Sequence, residues 1–250
     1  MVAENSIVVI MAGGLGKRMN SDLPKVLHLI QGEPMLVRIL KEAYTIEPYR
    51  IYIVVGKYKS LIENTIRQYI DWDSYRISLV EQPEALGTGH AIQCCVPELM
   101  NHLEKKVLIL SGDVPLLTAK TMKTMMVDLK KVRIMTTHIQ DPTGYGRIIC
   151  PNGFFVKIKE EKDCLPEEKK IKKINCGIYA FDIDILCRYL PKLTNKNSSK
   201  EYYLTDIIEW IKIGELINID MFDIPEENQF EIMGVNTKEQ LEALETRIEK

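Results

Sequence analysis

The sequence predicts an α/β fold: a doubly wound, mostly parallel, Rossmann-like sheet with a smaller β lobe attached. Three observations predict it. Apolar runs of strand length recur, helical apolar spacings separate them, and a glycine-rich loop stands directly behind the first run.

The elements follow in order. Strands are expected at 7–11, 51–55, 77–80, 107–110 and 132–137, each bounded by turn residues. The first, second and fourth are nearly continuously apolar, as strands covered on both faces should be. Met35, Leu36, Ile39, Leu40, Ala43 and Tyr44 keep helical spacing behind Pro34, a residue suited to a first helical turn. Leu61, Ile62, Thr65, Ile66 and Tyr69 make a second such face. Beyond residue 140 the pattern changes to short strands at 146–150, 154–158 and 173–181 around the charged run 159–163. The run 167–170 reads as a solvated helix face or loop, and 195–200 as a mobile surface loop. Thr237-Lys238-Glu239-Gln240 is a capping-box pattern ahead of Leu241, Leu244 and Ile248.

Composition narrows the function. Lys and Arg total 33 against 35 Asp and Glu, so the formal charge of −2 argues against general nucleic-acid binding. No apolar run approaches membrane-spanning length, and the first residues lack a basic leader, so no membrane is expected and the chain reads as cytoplasmic. The six cysteines show no Cys-x-x-Cys pairing, and the four histidines are scattered, so no zinc site is expected.

The loop Met11-Ala12-Gly13-Gly14-Leu15-Gly16-Lys17-Arg18 leads to Leu23-Pro24-Lys25. Glycines let backbone N–H groups approach a ligand closely, and such a cluster favours an anion. Arg18 offers a fork of donors matched to phosphate oxygens; Lys25 offers a mobile point charge. Two familiar glycine loops do not fit. A P-loop needs Ser or Thr after Gly-Lys, where Arg18 stands, and a dinucleotide fingerprint starting at Gly14 needs a third glycine, where Met19 stands. In open α/β sheets ligands bind beyond the carboxyl ends of strands, so this loop and Gly112-Asp113 should share one edge.

Further motifs line up along the chain: Glu81-Gln82-Pro83, Leu86-Gly87-Thr88-Gly89-His90-Ala91, Gly112-Asp113-Val114-Pro115-Leu116 and Gly144-Tyr145-Gly146-Arg147. Glu160-Glu161-Lys162, Asn175-Cys176-Gly177-Ile178-Tyr179, Glu201-Tyr202-Tyr203-Leu204-Thr205-Asp206 and Gly234-Val235-Asn236 follow. In this order, and with the 11–27 segment, they resemble the sugar nucleotidyltransferases. The resemblance is greatest to the uridyltransferase domain of the bacterial bifunctional N-acetylglucosamine-1-phosphate uridyltransferase/glucosamine-1-phosphate acetyltransferases.

That resemblance implies transfer of UMP from UTP to N-acetylglucosamine 1-phosphate with Mg²⁺, releasing pyrophosphate. Arg18 and Lys25 would be catalytic. Ala12, Gly13, Gly14, Gly16, Gln82, Gly87 and Thr88 would hold the nucleotide, and Gly112, Gly146, Glu160 and Asn175 the sugar. Asp113 and Asn236 would be the metal ligands, with Glu161 a rival to Glu160 on the sugar. One domain over 1–250 is expected: a nucleotide-binding core at about 1–139, a sugar-side lobe at about 140–236 and a C-terminal helix at 237–250. No short β-helical repeats occur, so acetyl transfer is not expected, and the oligomeric state stays open.

Three departures from the family pattern stand out. Gly13 and Lys17 replace the usual Ala and Thr, which bears on base selectivity. Ser111 replaces an aromatic residue ahead of Gly112-Asp113, which bears on packing near the sugar. Two alternatives therefore remain at this level: a nucleotidyltransferase for another sugar phosphate or dTTP, and a non-catalytic nucleotide-sugar-binding module.

Overall fold

The computed structural model describes residues 5–14, 16–19 and 21–248, with the Lys17 side chain excluded. The expectations for the first four residues, for that lysine side chain and for the last two residues of the 237–250 helix lie outside this description.

The strands of the main sheet are β1 (Ser6–Met11), β2 (Arg50–Val55), β3 (Ile77–Glu81), β4 (Lys106–Ser111), β5 (Val132–His138), β6 (Arg147–Ile149), β7 (Lys157–Lys159), β8 (Lys173–Asp182) and β9 (Asp220–Asp223). The helices that position the site are α1 (Met35–Thr45), α2 (Lys59–Ile66), α3 (Thr88–Cys94), α4 (Ala119–Met126), α5 (Ile183–Tyr189), α6 (Asp206–Gly214) and α7 (Lys238–Ile248). The main sheet runs β9-β5-β8-β4-β1-β2-β3, with β6 on β8 and β7 on β6. Strands β4, β1, β2 and β3 are parallel, whereas β8 is antiparallel to both neighbours.

Strand alternation divides the core into two layers. Val8, Ile10, Ile51, Ile53, Leu108 and Leu110 face one cluster, which Leu36, Ile39 and Leu40 of α1 and Met122 of α4 complete. Ile7, Val9, Tyr52, Val54, Val107 and Ile109 face the other, under Ile92 of α3, Leu186 of α5 and Ile207 of α6. Every one of these strand side chains is buried, which is why the sequence reads as continuous apolar runs. Doubly wound packing follows.

Three local expectations need correction. The second helical face is narrower than its spacing suggests: Ile62 and Ile66 are buried, but Leu61 and Tyr69 are exposed. The strand expected at 154–158 is β7 instead, because a turn at Pro151–Gly153 with left-handed Asn152 leaves Phe154 in solvent. The 195–200 loop is tied down, since Asn197 bonds the Glu201 backbone both ways and Asp163 accepts from the Ser198 N–H. β8, from the second half of the chain, lies between β4 and β5.

Candidate active site

The carboxyl ends of β1 and β4 lie side by side, with Met11 opposite Ser111. Gly112 permits this close approach: a Cβ there would meet the Met11 carbonyl oxygen at 2.9 Å and Val26 at 3.1 Å. Asp113 follows and turns into the space that the glycine loop borders. Its Oδ2 pairs with the Lys25 ammonium, and its Oδ1 accepts from the Ser111 hydroxyl at 2.6 Å. The same ammonium donates to Asn236 Oδ1 at 3.0 Å, to which Arg18 Nη2 also donates at 3.1 Å. Lys25 and Asp113 are both mostly shielded from solvent.

Asn236 reaches this point through two backbone ties. The Val235 N–H donates to the Asp113 carbonyl at 2.9 Å, and the Asn236 N–H donates to Gln240 Oε1 at 2.7 Å. Thr237 Oγ1 accepts from the Gln240 N–H, so the expected capping pattern forms with one difference: Gln240 reaches back to Asn236. Leu244 is buried and Leu241 and Ile248 pack beside it, which anchors the helix that carries this turn.

Two cavities meet at Asp113. Gly13, Gly14, Lys25, Gln82, Gly87 and Thr88 line the first. Arg18, Gly146, Glu160, Asn175, Thr205 and Asn236 line the second. Met11, Thr88, Ser111 and Asp113 belong to both. Of the expected site residues, Ala12, Gly16 and Gly112 line neither; Ala12 and Gly112 are buried behind the walls. Gly16 has φ +59° and packs against Lys25, where a Cβ would stand 2.8 Å from the lysine Cβ.

The first cavity is built around a buried amide. Gln82 Nε2 donates to the Gly87 carbonyl at 3.1 Å and lies 3.2 Å from the His90 Nδ1. Gly87 has φ +112°, and a Cβ there would strike the Tyr202 carbonyl at 2.6 Å. Two motifs interlock here: Tyr202 donates its N–H to the Leu86 carbonyl, and Leu204 donates to Thr88 Oγ1 at 3.1 Å. The Gly-Thr-Gly segment is thus a packed joint.

In the second cavity, β8 changes register between Asn175 and Tyr179, with Gly177 at φ +73°. Such a bulge re-aims side chains. Asn175 Nδ2 donates to the Tyr179 hydroxyl at 2.7 Å, and its Oδ1 accepts from the Gly177 N–H at 3.2 Å. Glu160 Oε1 accepts from Thr205 Oγ1 at 2.9 Å. Burial pushes the Glu160 carboxyl above its ordinary range; the Thr205 bond opposes this, and Asp206, Asp163 and Glu201 add to it. Glu161 turns away from the cavity and pairs with the fully buried Arg147 at 2.6 Å.

Sequence reasoning did not single out Ser111, Thr205 or Gln240 as site residues. In the sequence Ser111 reads only as a packing change, and Thr205 lies inside the 201–206 motif. A hydroxyl two residues before the strand-end carboxylate was the available signal for Ser111.

A family model, the MobA-like NTP transferase domain, matches residues 8–154, which include most of β1, all of β2 to β6 and the whole glycine loop. It belongs to the MobA-like NTP transferase family. This nucleotidyltransferase is 42% identical over 250 residues to a probable UDP-N-acetylglucosamine pyrophosphorylase of Acanthamoeba polyphaga mimivirus, covering 98% of this chain and 97% of that one. It is 37% identical over 239 residues to the bifunctional protein GlmU of Cyanothece sp. (strain PCC 7425), covering 94% of this chain but 50% of that one. The chain thus spans about half the length of that bifunctional relative. The inositol-1-phosphate CTP transferase from T. maritima shares the fold, with a TM-score of 0.73 at 14% identity over 99% of this chain and 97% of that one. No helix among the described residues is long and apolar enough to cross a membrane.

Proposed function

We propose that the chain transfers UMP from UTP to N-acetylglucosamine 1-phosphate, forming UDP-N-acetylglucosamine and pyrophosphate. One observation carries this reading: a cavity bordered by the glycine loop and a second, more polar cavity converge on Asp113, with Lys25 and Arg18 beside it. Similarity to the probable UDP-N-acetylglucosamine pyrophosphorylase of the mimivirus supplies the nucleotide sugar.

Two anions have to meet in this reaction. The sugar phosphate oxygen attacks the α-phosphorus of UTP, and the bond to the bridging oxygen of pyrophosphate breaks. The protein's task is neutralisation and in-line alignment, with no covalent chemistry required of its side chains. Lys25 at the junction would counter the charge gathered in the transition state. Arg18, more exposed, would hold the triphosphate. Gln82 offers donor and acceptor together, which suits a pyrimidine edge. Glu160 would accept from a sugar hydroxyl, and Asn175 would meet the acetamido side.

Asp113 and Asn236 fit a divalent cation. Their oxygens already converge on one positive group, the Lys25 ammonium. A single carboxylate and a neutral amide oxygen suit Mg²⁺, which keeps water and phosphate oxygens in its shell. Among the described residues no cluster of three or more metal-ligating side chains competes. When bound, the ion would supply charge neutralisation on the phosphates.

The test is pyrophosphate release from a panel of nucleoside triphosphates and sugar phosphates. The expected result is a preference for UTP with N-acetylglucosamine 1-phosphate. A higher kcat/KM for dTTP, or for glucose 1-phosphate, overturns the substrate assignment.

A further inference from the structure

A third cavity, of about 470 Å³, shares no lining residue with the two that meet at Asp113. It lies between α1, the segment after Asp113 and the C-terminal helix. Its size falls within the range of small-molecule sites. Three cations line it: Arg38 and Lys41 from α1 and Arg247 from α7.

Its carboxylates are already engaged. Glu33 pairs with Lys41, and Glu42 Oε2 accepts from the Ala119 N–H at 2.7 Å at the start of α4. That leaves two arginines with no carboxylate partner among the described residues. Arg38 Nε is buried with no acceptor, and among the described residues Arg247 has only the Met233 sulfur at 3.6 Å. A buried guanidinium N–H without an acceptor is unfavourable, as at Arg38, and Arg38 and the exposed Arg247 repel each other across the one cavity that both line. A dianion between them relieves the repulsion. Paired guanidinium forks match phosphate oxygens in geometry as well as charge. The remaining wall is apolar, with Leu116, Phe230 and Ile248, and suits a nonpolar or ring-shaped body.

We propose that this cavity binds a phosphate monoester carrying an apolar or ring-shaped body, at a site separate from the one that takes the substrates. The inference rests on the arginines and the cavity alone. Phenyl phosphate is the probe, titrated calorimetrically into the full chain with and without saturating UDP-N-acetylglucosamine. Saturable binding in the millimolar range or tighter should persist when the nucleotide sugar is bound. It should weaken at least about tenfold in Arg247→Gln and in Arg38→Gln. Arg247 is exposed on its helix, so its variant keeps the comparison valid if Arg38→Gln misfolds, as circular dichroism would reveal. No saturable binding overturns the proposal, as does displacement by UDP-N-acetylglucosamine or unchanged affinity in the arginine variants. Failure of UDP-N-acetylglucosamine itself to bind would count against the uridylyl-transfer reading and leave the arginine comparison standing.

Discussion

Lys25 and Asp113, 88 residues apart in sequence, form an ion pair where the two site cavities meet. The pair depends on backbone features at both ends. Gly16 lets the loop fold onto Lys25, and Gly112 lets β4 close against β1. Ser111 then holds the second carboxylate oxygen, so Asp113 presents a fixed oxygen to whatever cation lies beside it.

Lys25→Ala is expected to lower kcat by about a hundredfold to a thousandfold, since the cation matters most as charge gathers in the transition state. The KM for UTP should move less. Steady-state kinetics of the two proteins decide it, and an effect confined to KM would reassign Lys25 to ground-state binding.

Ser111→Ala removes a hydrogen bond to a charged group, and about tenfold is expected in kcat/KM. The concentration of Mg²⁺ giving half-maximal rate should rise as Asp113 loses its orientation. A titration of rate against Mg²⁺ reads both. An unchanged curve would leave Ser111 with no part in positioning Asp113.

Gly13→Ala addresses the base. A Cβ at this position would stand 2.9 Å from Gln82 Oε1, so the buried amide must shift. The expected outcome is a KM for UTP higher by roughly fivefold to thirtyfold, with kcat less affected. Measuring UTP and dTTP side by side reveals whether the shifted amide also changes base preference. Identical constants for both nucleotides in both proteins would remove Gly13 from base reading.

Much of this arrangement was legible in the chain. The apolar runs of β1, β2 and β4 read as strands covered on both faces, and the two glycine motifs at their ends are expected to share an edge, as they do. The insertion of β8 between β4 and β5 was not legible, because strand pairing at that sequence distance leaves no local periodicity. Arg147 shows the same limit. Fully buried, it pairs with Glu161 and donates to the Lys169 and Tyr145 carbonyls, and the 144–147 motif that contains it carries no sign of that burial. That pairing also explains why Glu160, and not its neighbour, lines the cavity.

Glu160 predicts a pH dependence. Its folded carboxyl titrates above the ordinary value, so it is protonated at pH values where an exposed glutamate would already be ionised. Protonation removes acceptor capacity for a sugar hydroxyl. The KM for the sugar phosphate should therefore rise as pH falls through that raised value, and Glu160→Gln should flatten the dependence. A profile shared by both proteins would remove Glu160 from the sugar.

Asp206 bears on stability. Burial, then Asp163 and Glu209, push its carboxyl up to about 6. An acid whose folded value is raised is penalised in the folded state once ionised. The penalty grows from the ordinary value of 3.8 to about 6 and is full above that. Asp206→Asn should thus raise Tm at pH 7 to 8 and leave it unchanged below the ordinary carboxylate range. Thermal unfolding at both pH values checks the sign, and equal Tm at neutral pH would contradict it.

The central claim is that this one site joins two phosphates. Phosphorus NMR of the purified chain with UTP, N-acetylglucosamine 1-phosphate and Mg²⁺ tests it most directly. The predicted result is UDP-N-acetylglucosamine and pyrophosphate appearing in equal amounts, at a rate that collapses in Asp113→Ala while the fold survives by circular dichroism. Pyrophosphate without the nucleotide sugar, or wild-type rates in Asp113→Ala, would contradict it.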